Sequence, residues 1–208
     1  PRVGRVIALS QMLEQLVLRH TEGGETSEQG LDLSTLMFQN SEGRSVFAPQ
    51  GHLLLERVER GLSMSWHYEW GQVKMTRELH LHWKEQGATL RYLVTLPEGG
   101  DRAVLRLSPM VTLRDFHGLT RRGSAPAIRV ATSNNHVTLR SGDATVTFAC
   151  DGGARWQTLD DQWWYSVYYA TDAQRGQECF EDYRVPGRYE VELEPGRTSA
   201  VAFTVALG

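Results

Sequence analysis

The run Val73-Lys74-Met75-Thr76-Arg77-Glu78-Leu79-His80-Leu81-His82-Trp83 decides the fold class. In an extended chain Val73, Met75, Leu79, Leu81 and Trp83 share one face, while Lys74, Thr76, Glu78, His80 and His82 share the other. Arg77 is the single intrusion in the apolar row. Side chains two apart share a face of a strand, whereas a helix would scatter them, so the run reads as a strand with one face in the core and one in water.

The same alternation recurs on either side. Ala88, Leu90, Tyr92, Val94 and Leu96 alternate with Thr89, Arg91, Leu93 and Thr95, and Tyr189, Val191 and Leu193 alternate with Glu190, Glu192 and Glu194. Val201, Phe203, Val205 and Leu207 alternate with the small or weakly polar Ala202, Thr204 and Ala206, as expected of a strand between two neighbours. Burying each large apolar side chain in these rows contributes roughly 1.5–3 kcal/mol, and a one-residue slip would turn every row to the wrong face. Turn residues punctuate the runs: Glu42-Gly43, Glu98 to Asp101, Gly123 to Pro126, Asn134-Asn135, Gly142-Asp143, Asp151 to Gly153, Pro186-Gly187 and Pro195-Gly196. Thr21 to Gly30, rich in Gly, Ser, Thr and Glu, has no periodicity and reads as a mobile hairpin tip. Ser10 to Leu18 stays open between a capped helical turn, with Leu13, Leu16 and Val17 at helical spacing, and a strand.

So many short strands divide into two packed sheets. The expectation is an all-β fold, a large two-sheet antiparallel β-sandwich, with residues 1–208 as one domain. Hydrophobic residues make up 40% of the chain and charged residues 23%, which suits a soluble globular protein with a substantial core. A net charge of -3 and the lack of a Lys/Arg stripe exclude a general attraction to nucleic acid. No apolar run approaches the roughly 20 residues that span a bilayer. The opening Pro1-Arg2-Val3-Gly4 has neither an initiator Met nor a signal core, so an excised fragment is expected. Cys150 and Cys179 are too few to imply an oxidised scaffold, which points to reduced thiols in the cytoplasm.

Two stretches carry more than pattern. Leu105-Arg106-Leu107-Ser108-Pro109 leads into Arg114-Asp115-Phe116-His117 and Leu119-Thr120. This is similar to the Arg-Pro-Leu, Phe-Arg-Asp-Tyr-His, Leu-Thr pattern of the amino-terminal domains of bacterial-type glycogen debranching enzymes (amylo-α-1,6-glucosidases). From Trp163 to Gly187, the order Trp164-Tyr165, Tyr168-Tyr169, Asp172, Arg175-Gly176, Glu181-Asp182 and Pro186-Gly187 resembles the same family, and Arg5 to Ser10 resembles its opening hairpins. The chain departs from the family in lacking the Asn-Gly-x-Gly-Gly-Tyr and Arg-x-Tyr-His-Gly-Leu segments, in having Asp172 where Glu is common, and in having Gln174 for an acidic residue. The resemblance implies a supersandwich of the galactose-mutarotase and glucoamylase amino-terminal type. It also implies two partners, a following α/α-toroid that hydrolyses α-1,6 branches and a branched α-glucan such as glycogen or limit dextrin. No cofactor is implied.

Glycoside hydrolysis needs two carboxyl groups across the scissile bond. Asp115, Asp172, Glu178, Glu181 and Asp182 offer no convincing pair, and adjacent Glu181 and Asp182 would point to opposite sides of a strand. No catalytic residue is therefore assigned. The candidates for substrate binding or a domain interface are Arg114, Asp115, His117, Trp163, Trp164, Tyr168, Arg175, Glu181 and Asp182. Asp115 and His117 would share a face, where the carboxylate could fix the imidazole tautomer and orient a sugar hydroxyl, or the two could tie down a sheet corner. Trp163, Tyr165, Val167 and Tyr169 alternate with Trp164, Ser166, Tyr168 and Ala170, so one face is core and the other a possible stacking platform. Arg175 with Glu178, Glu181 and Asp182 forms either a buried ion-pair network or a polar edge meeting the toroid. His80 and His82 lack a third metal ligand at diagnostic spacing. Three functions stand open: a non-catalytic wall of a glucan cleft, an autonomous carbohydrate-binding module, and a mutarotase-like enzyme using Asp115 and His117.

Overall fold

The computed structural model describes residues 5–133 and 135–208. The Pro1 to Gly4 opening and Asn134 of the expected Asn134-Asn135 turn lie outside them. The described residues form fifteen strands. In chain order they are β1 (Val6–Glu22), β2 (Glu25–Asp32), β3 (Thr35–Gln39), β4 (Ser45–Gln50), β5 (Leu55–Arg60), β6 (Met64–Trp70), β7 (Val73–Leu81) and β8 (Gly87–Thr95). There follow β9 (Arg102–Asp115), β10 (Arg129–Ser133), β11 (His136–Ser141), β12 (Ala144–Cys150), β13 (Arg155–Tyr168), the short helix α1 (Ala170–Gln174), β14 (Phe180–Leu193) and β15 (Thr198–Leu207).

A five-stranded sheet runs β13-β14-β9-β1-β2 and an eight-stranded sheet runs β10-β11-β12-β15-β8-β7-β6-β5, with β3 and β4 forming a separate hairpin. The pairings within both sheets are antiparallel. The sandwich is thus as expected, and β15 does lie between two neighbours, β12 and β8. The β3-β4 hairpin has no precursor in the sequence reading. Inward rows of both sheets meet in one core that includes Leu16, Leu105, Leu107, Tyr189, Val191, Tyr92, Val94, Phe148 and Phe203. A smaller cluster of Leu36, Met110, Val167, Tyr183 and Val185 sits apart from it.

Four expectations are settled or corrected here. Ser10 to Leu18 is strand, within β1, because Met12, Glu14, Leu16 and Leu18 all turn inward and are buried. Thr21 to Gly30 is mostly paired: β1 and β2 run in register out to Glu22↔Glu25, and the bend is confined to Gly23 and Gly24, whose φ angles of 59° and 89° favour glycine. Pro186-Gly187 is not a turn but lies inside β14, where Gly187 is needed because a Cβ would strike the Trp156 ring and the Gln157 carbonyl. The Val73 to Trp83 row is core only at its start. Val73 and Met75 are buried, Leu81 is 77% exposed and Trp83 is 86% exposed. Arg77, the intrusion, turns into the interior and meets Glu14 from the opposite sheet, Nη1 donating to both carboxylate oxygens at 2.9 Å.

The acidic face of β14 is met by arginines from β9, its neighbour, and from β1, the strand beyond. Arg106 donates to Glu190 at 2.9 Å, and Arg19 to Glu192 at 3.0 Å. Cys150 and Cys179 are both free thiols. No helix among the described residues is long and apolar enough to cross a membrane.

Candidate functional site

At the end of the five-stranded sheet where β1 and β14 begin and β9 ends, an open cavity of about 820 Å³ is bounded by these strands, by the loop after β9, and by α1 with the loop that follows it. Three backbone irregularities shape this end. β9 gains a residue against β1 at Leu113, which takes a left-handed φ of 47°. β13 gains residues against β14 at Asp161 and Ser166, with φ of 48° and 57°. Left-handed backbone at a non-glycine residue costs about 1–3 kcal/mol, and such bulges re-aim the side chains that follow them.

The floor is one hydrogen-bonded group. Glu181 is fully buried and receives Arg114 through Nε and through Nη2 at 3.0 Å, the backbone N–H of Thr120 at 3.0 Å, and the Tyr169 hydroxyl at 2.7 Å. The Tyr169 and Tyr183 hydroxyls are hydrogen-bonded to each other. Arg114 Nη1 also donates to the carbonyls of Asp115 and Phe116, at 3.0 and 3.1 Å, and so fastens the loop after β9 to the sheet. Burial lowers the pKa of Arg114, but its hydrogen bond to Glu181 and that carboxylate's charge outweigh the effect and raise it. Burial pushes the Tyr183 hydroxyl up to about 12 and raises Tyr169 further, the latter reinforced by its neighbour Tyr183. Both tyrosines therefore keep their protons at neutral pH.

Asp182 closes a second knot behind the first. Its carboxylate accepts the N–H of Ser166 at 2.8 Å and that of Arg122 at 2.9 Å, and its own N–H donates to the Thr120 carbonyl at 2.8 Å. The Ser166 bulge is thus held by Asp182. Glu181 and Asp182 point to different partners, as their adjacency on a strand requires. Both are sealed by donors, which disqualifies them as a free acid and base.

Of the sequence-predicted residues, Arg114 and Glu181 join in the floor, and His117 and Arg175 line the same cavity. Asp115 and His117 do not pair through the imidazole. Asp115 Oδ1 accepts the His117 backbone N–H at 2.9 Å, because the chain turns after Asp115 instead of staying extended. Arg175 stands apart from the buried network and forms no ion pair among the described residues. The expected two-face alternation from Trp163 to Ala170 is broken at Ser166, where the extra residue lets Trp164 and Val167 pack into the same cluster. Trp164 stacks on Phe38 with ring centres 6.1 Å apart, Trp163 donates Nε1–H to Asp161 at 2.7 Å, and Tyr168 packs on Phe180 at 5.2 Å. Trp164 and Tyr168 are thus engaged in ring packing, whereas Trp163 is held through its N–H and Tyr165 is 49% exposed.

Sequence reasoning missed Tyr169, Tyr183, Thr120 and Gln11 as parts of this end. Thr120, Tyr169 and Tyr183 were signalled only by proximity to the Arg114 and Glu181 motifs and Gln11 by nothing, since a hydroxyl's partner across 14 residues leaves no periodic trace. His80 and His82 go to separate partners, Glu78 at 3.6 Å and Thr89 at 2.9 Å, and no group of three potential metal ligands occurs among the described residues.

A sequence model of the family described as glycogen debranching enzyme N terminal matches residues 1–200. A search of curated proteins finds no match. Among solved structures, a bacterial glucoamylase complexed with acarbose superposes with a TM-score of 0.46 at 10% identity, covering 97% of this chain and 27% of that one. A polysaccharide lyase superposes with a TM-score of 0.43 at 12% identity, covering 94% and 25%. The chain thus spans about a quarter of the length of each.

Proposed function

The chain belongs to the glycogen debranching enzyme N-terminal family, and from that membership we propose that it serves as the amino-terminal sandwich of a cytoplasmic amylo-α-1,6-glucosidase. In this reading the end cavity forms one wall of the cleft that takes the branched α-glucan, and an α/α-toroid on the same polypeptide supplies the opposite wall and the catalytic carboxyl groups. The observation that supports it most is the division of the cavity into a fixed floor and an uncommitted rim. The floor is Arg114, Glu181, Tyr169 and Tyr183, bonded to one another. The rim has Phe116, 50% exposed, with His117 and Arg175 beside it. A floor whose donors are satisfied positions a surface without reacting at it, whereas an exposed ring and an unpaired guanidinium suit contact with a sugar or a neighbouring domain.

The reading makes this chain non-catalytic. Glu181 and Asp182 at the floor are held by donors, and Asp115 accepts the backbone N–H of His117 and not its imidazole, which counts against a mutarotase-like Asp115–His117 pair. The test is calorimetric titration of the chain with a branched maltooligosaccharide, run beside assays for glucose release and anomer interconversion. Binding without turnover, lost in Phe116→Ala and Arg175→Ala, supports the proposal. Turnover by this chain, or binding indifferent to both substitutions, overturns it.

A further inference from the structure

A second space, of about 350 Å³, opens between β1, β3, β6 and β7, lined by Gln11, Thr35, His52, Trp66, Tyr68 and Arg77 among others. We propose that it is a binding site for a small neutral polyhydroxylated ligand, one or two sugar rings in size. The proposal does not rest on the end cavity taking glucan, although Gln11 borders both spaces.

Tyr68 is only 6% exposed, and its hydroxyl, within electrostatic reach of Arg77 and Glu14, makes no hydrogen bond to a described residue; the Gln11 amide likewise makes none. Arg77 spends Nη1 on Glu14 and its Nε is shut away without a partner, so Nη2 is the guanidinium donor left for the cavity. The Tyr68 oxygen, by contrast with Arg77 Nε, is not enclosed. Here residues bearing a hydroxyl, an amide and a guanidinium line one space of ligand size, at the small end of the roughly 300–1,000 Å³ range of small-molecule pockets, and their polar groups, being open to it, must be satisfied by solvent or by a ligand's hydroxyls.

Charge then selects the ligand. Glu14 is fully buried and takes the Tyr92 hydroxyl and the Ser34 hydroxyl, each at 3.0 Å, besides Arg77. Arg77 is thereby neutralised in place, its guanidinium centre 4.1 Å over the Trp66 ring. An anion entering the space would lose its hydration and meet no net positive charge, whereas hydroxyl groups can both donate and accept here. At the rim, the backbone N–H of His52 donates to the Thr35 hydroxyl at 2.9 Å.

The test is titration of maltose into the ¹⁵N-labelled chain, following the Trp66 indole N–H, identified by its loss in Trp66→Phe. A saturable shift is expected, with affinity falling about tenfold in Tyr68→Phe and in Gln11→Ala. Tyr68→Phe should unfold at the same temperature or higher, since a hydroxyl without a partner contributes nothing to the unliganded fold. Arg175→Ala, at the end cavity, should leave the shift unchanged. Absence of a saturable Trp66 shift, a shift produced by inorganic phosphate instead of maltose, or unchanged affinity in both Tyr68→Phe and Gln11→Ala would overturn the proposal.

Discussion

Replacing Glu181 by Gln tests whether the floor of the end cavity is held by charge or merely by shape. Glu181 has no exposed surface and the Arg114 side chain is 11% exposed, so the substitution leaves a guanidinium whose only carboxylate partner among the described residues is gone. Breaking one partner from a buried pair costs about 3–5 kcal/mol. A chain of this size loses about 2–4 °C per kcal/mol, so the unfolding midpoint should fall by roughly 10 °C. The assay is thermal unfolding, with urea unfolding for the free energies, of the wild type, Glu181→Gln, Arg114→Met and the double variant. Each single change strands the other member, so the double variant should be less destabilised than the sum by more than about 1 kcal/mol, beyond the roughly 0.5 kcal/mol expected of independent sites. A loss below about 1 kcal/mol for Glu181→Gln, or strict additivity, would refute the reasoning.

Further outcomes follow from the same geometry. Gly187→Ala places a methyl within 2.6 Å of Trp156 Cε2 and 2.5 Å of the Gln157 carbonyl oxygen, so it should cost about 1–3 kcal/mol of overpacking, read as a lower urea midpoint. Burial raises Cys150 from its ordinary 9.0 to about 12, and Tyr183 from 10.0 to about 12. In each case the unfolded group ionises first, so their contribution is intact below pH 9 and is lost as pH rises toward 12, at up to about 1.4 kcal/mol per pH unit for each group; a urea midpoint that does not fall from pH 8.5 to 11 would contradict this. With Ellman's reagent at pH 8, Cys179, which is partly exposed, should react in the native chain and Cys150, 3% exposed, only after unfolding; two fast thiols in the native state would show the core to be open.

What the sequence revealed and what it hid divide along one physical line. Rows such as Ala88 to Leu96 and Tyr189 to Leu193 were legible because their faces are set by a period of two and their neighbours supply the burial. Trp163 to Ala170 was misread because Ser166 adds a residue to the strand, and no local composition marks a non-glycine residue that will adopt φ of 57°. Asp115 and His117 were misread for a related reason: the strand ends at Asp115, and the carboxylate caps the turn it would otherwise have crossed. Arg77 announced itself as a charge in an apolar row, but Glu14 did not, since its partner lies 63 residues away in the opposite sheet. Long-range polar pairs have no periodicity to read.

The two adjacent buried carboxylates of β14, Glu181 and Asp182, bear on how this fold is specified. A buried ion pair is weak evidence of net stabilisation, because the cost of removing both charges from water offsets their attraction. What Glu181 and Asp182 do is fix register at the end of the sheet where the hydrogen-bonded ladder is already interrupted. Asp182 holds the Ser166 bulge, while Glu181 holds Arg114, which directly follows the Leu113 irregularity. A one-residue slip of β14 against β9 or β13 would carry Glu181 to the opposite face and leave Arg114, Tyr169 and the Thr120 N–H without an acceptor. Competing registers are therefore penalised by several unsatisfied groups at once, more heavily than loss of apolar contacts alone would penalise them. A site floor built this way is rigid before any ligand arrives, and it leaves Phe116, His117 and Arg175 free to be set by whatever they contact, without cost to the sandwich beneath them.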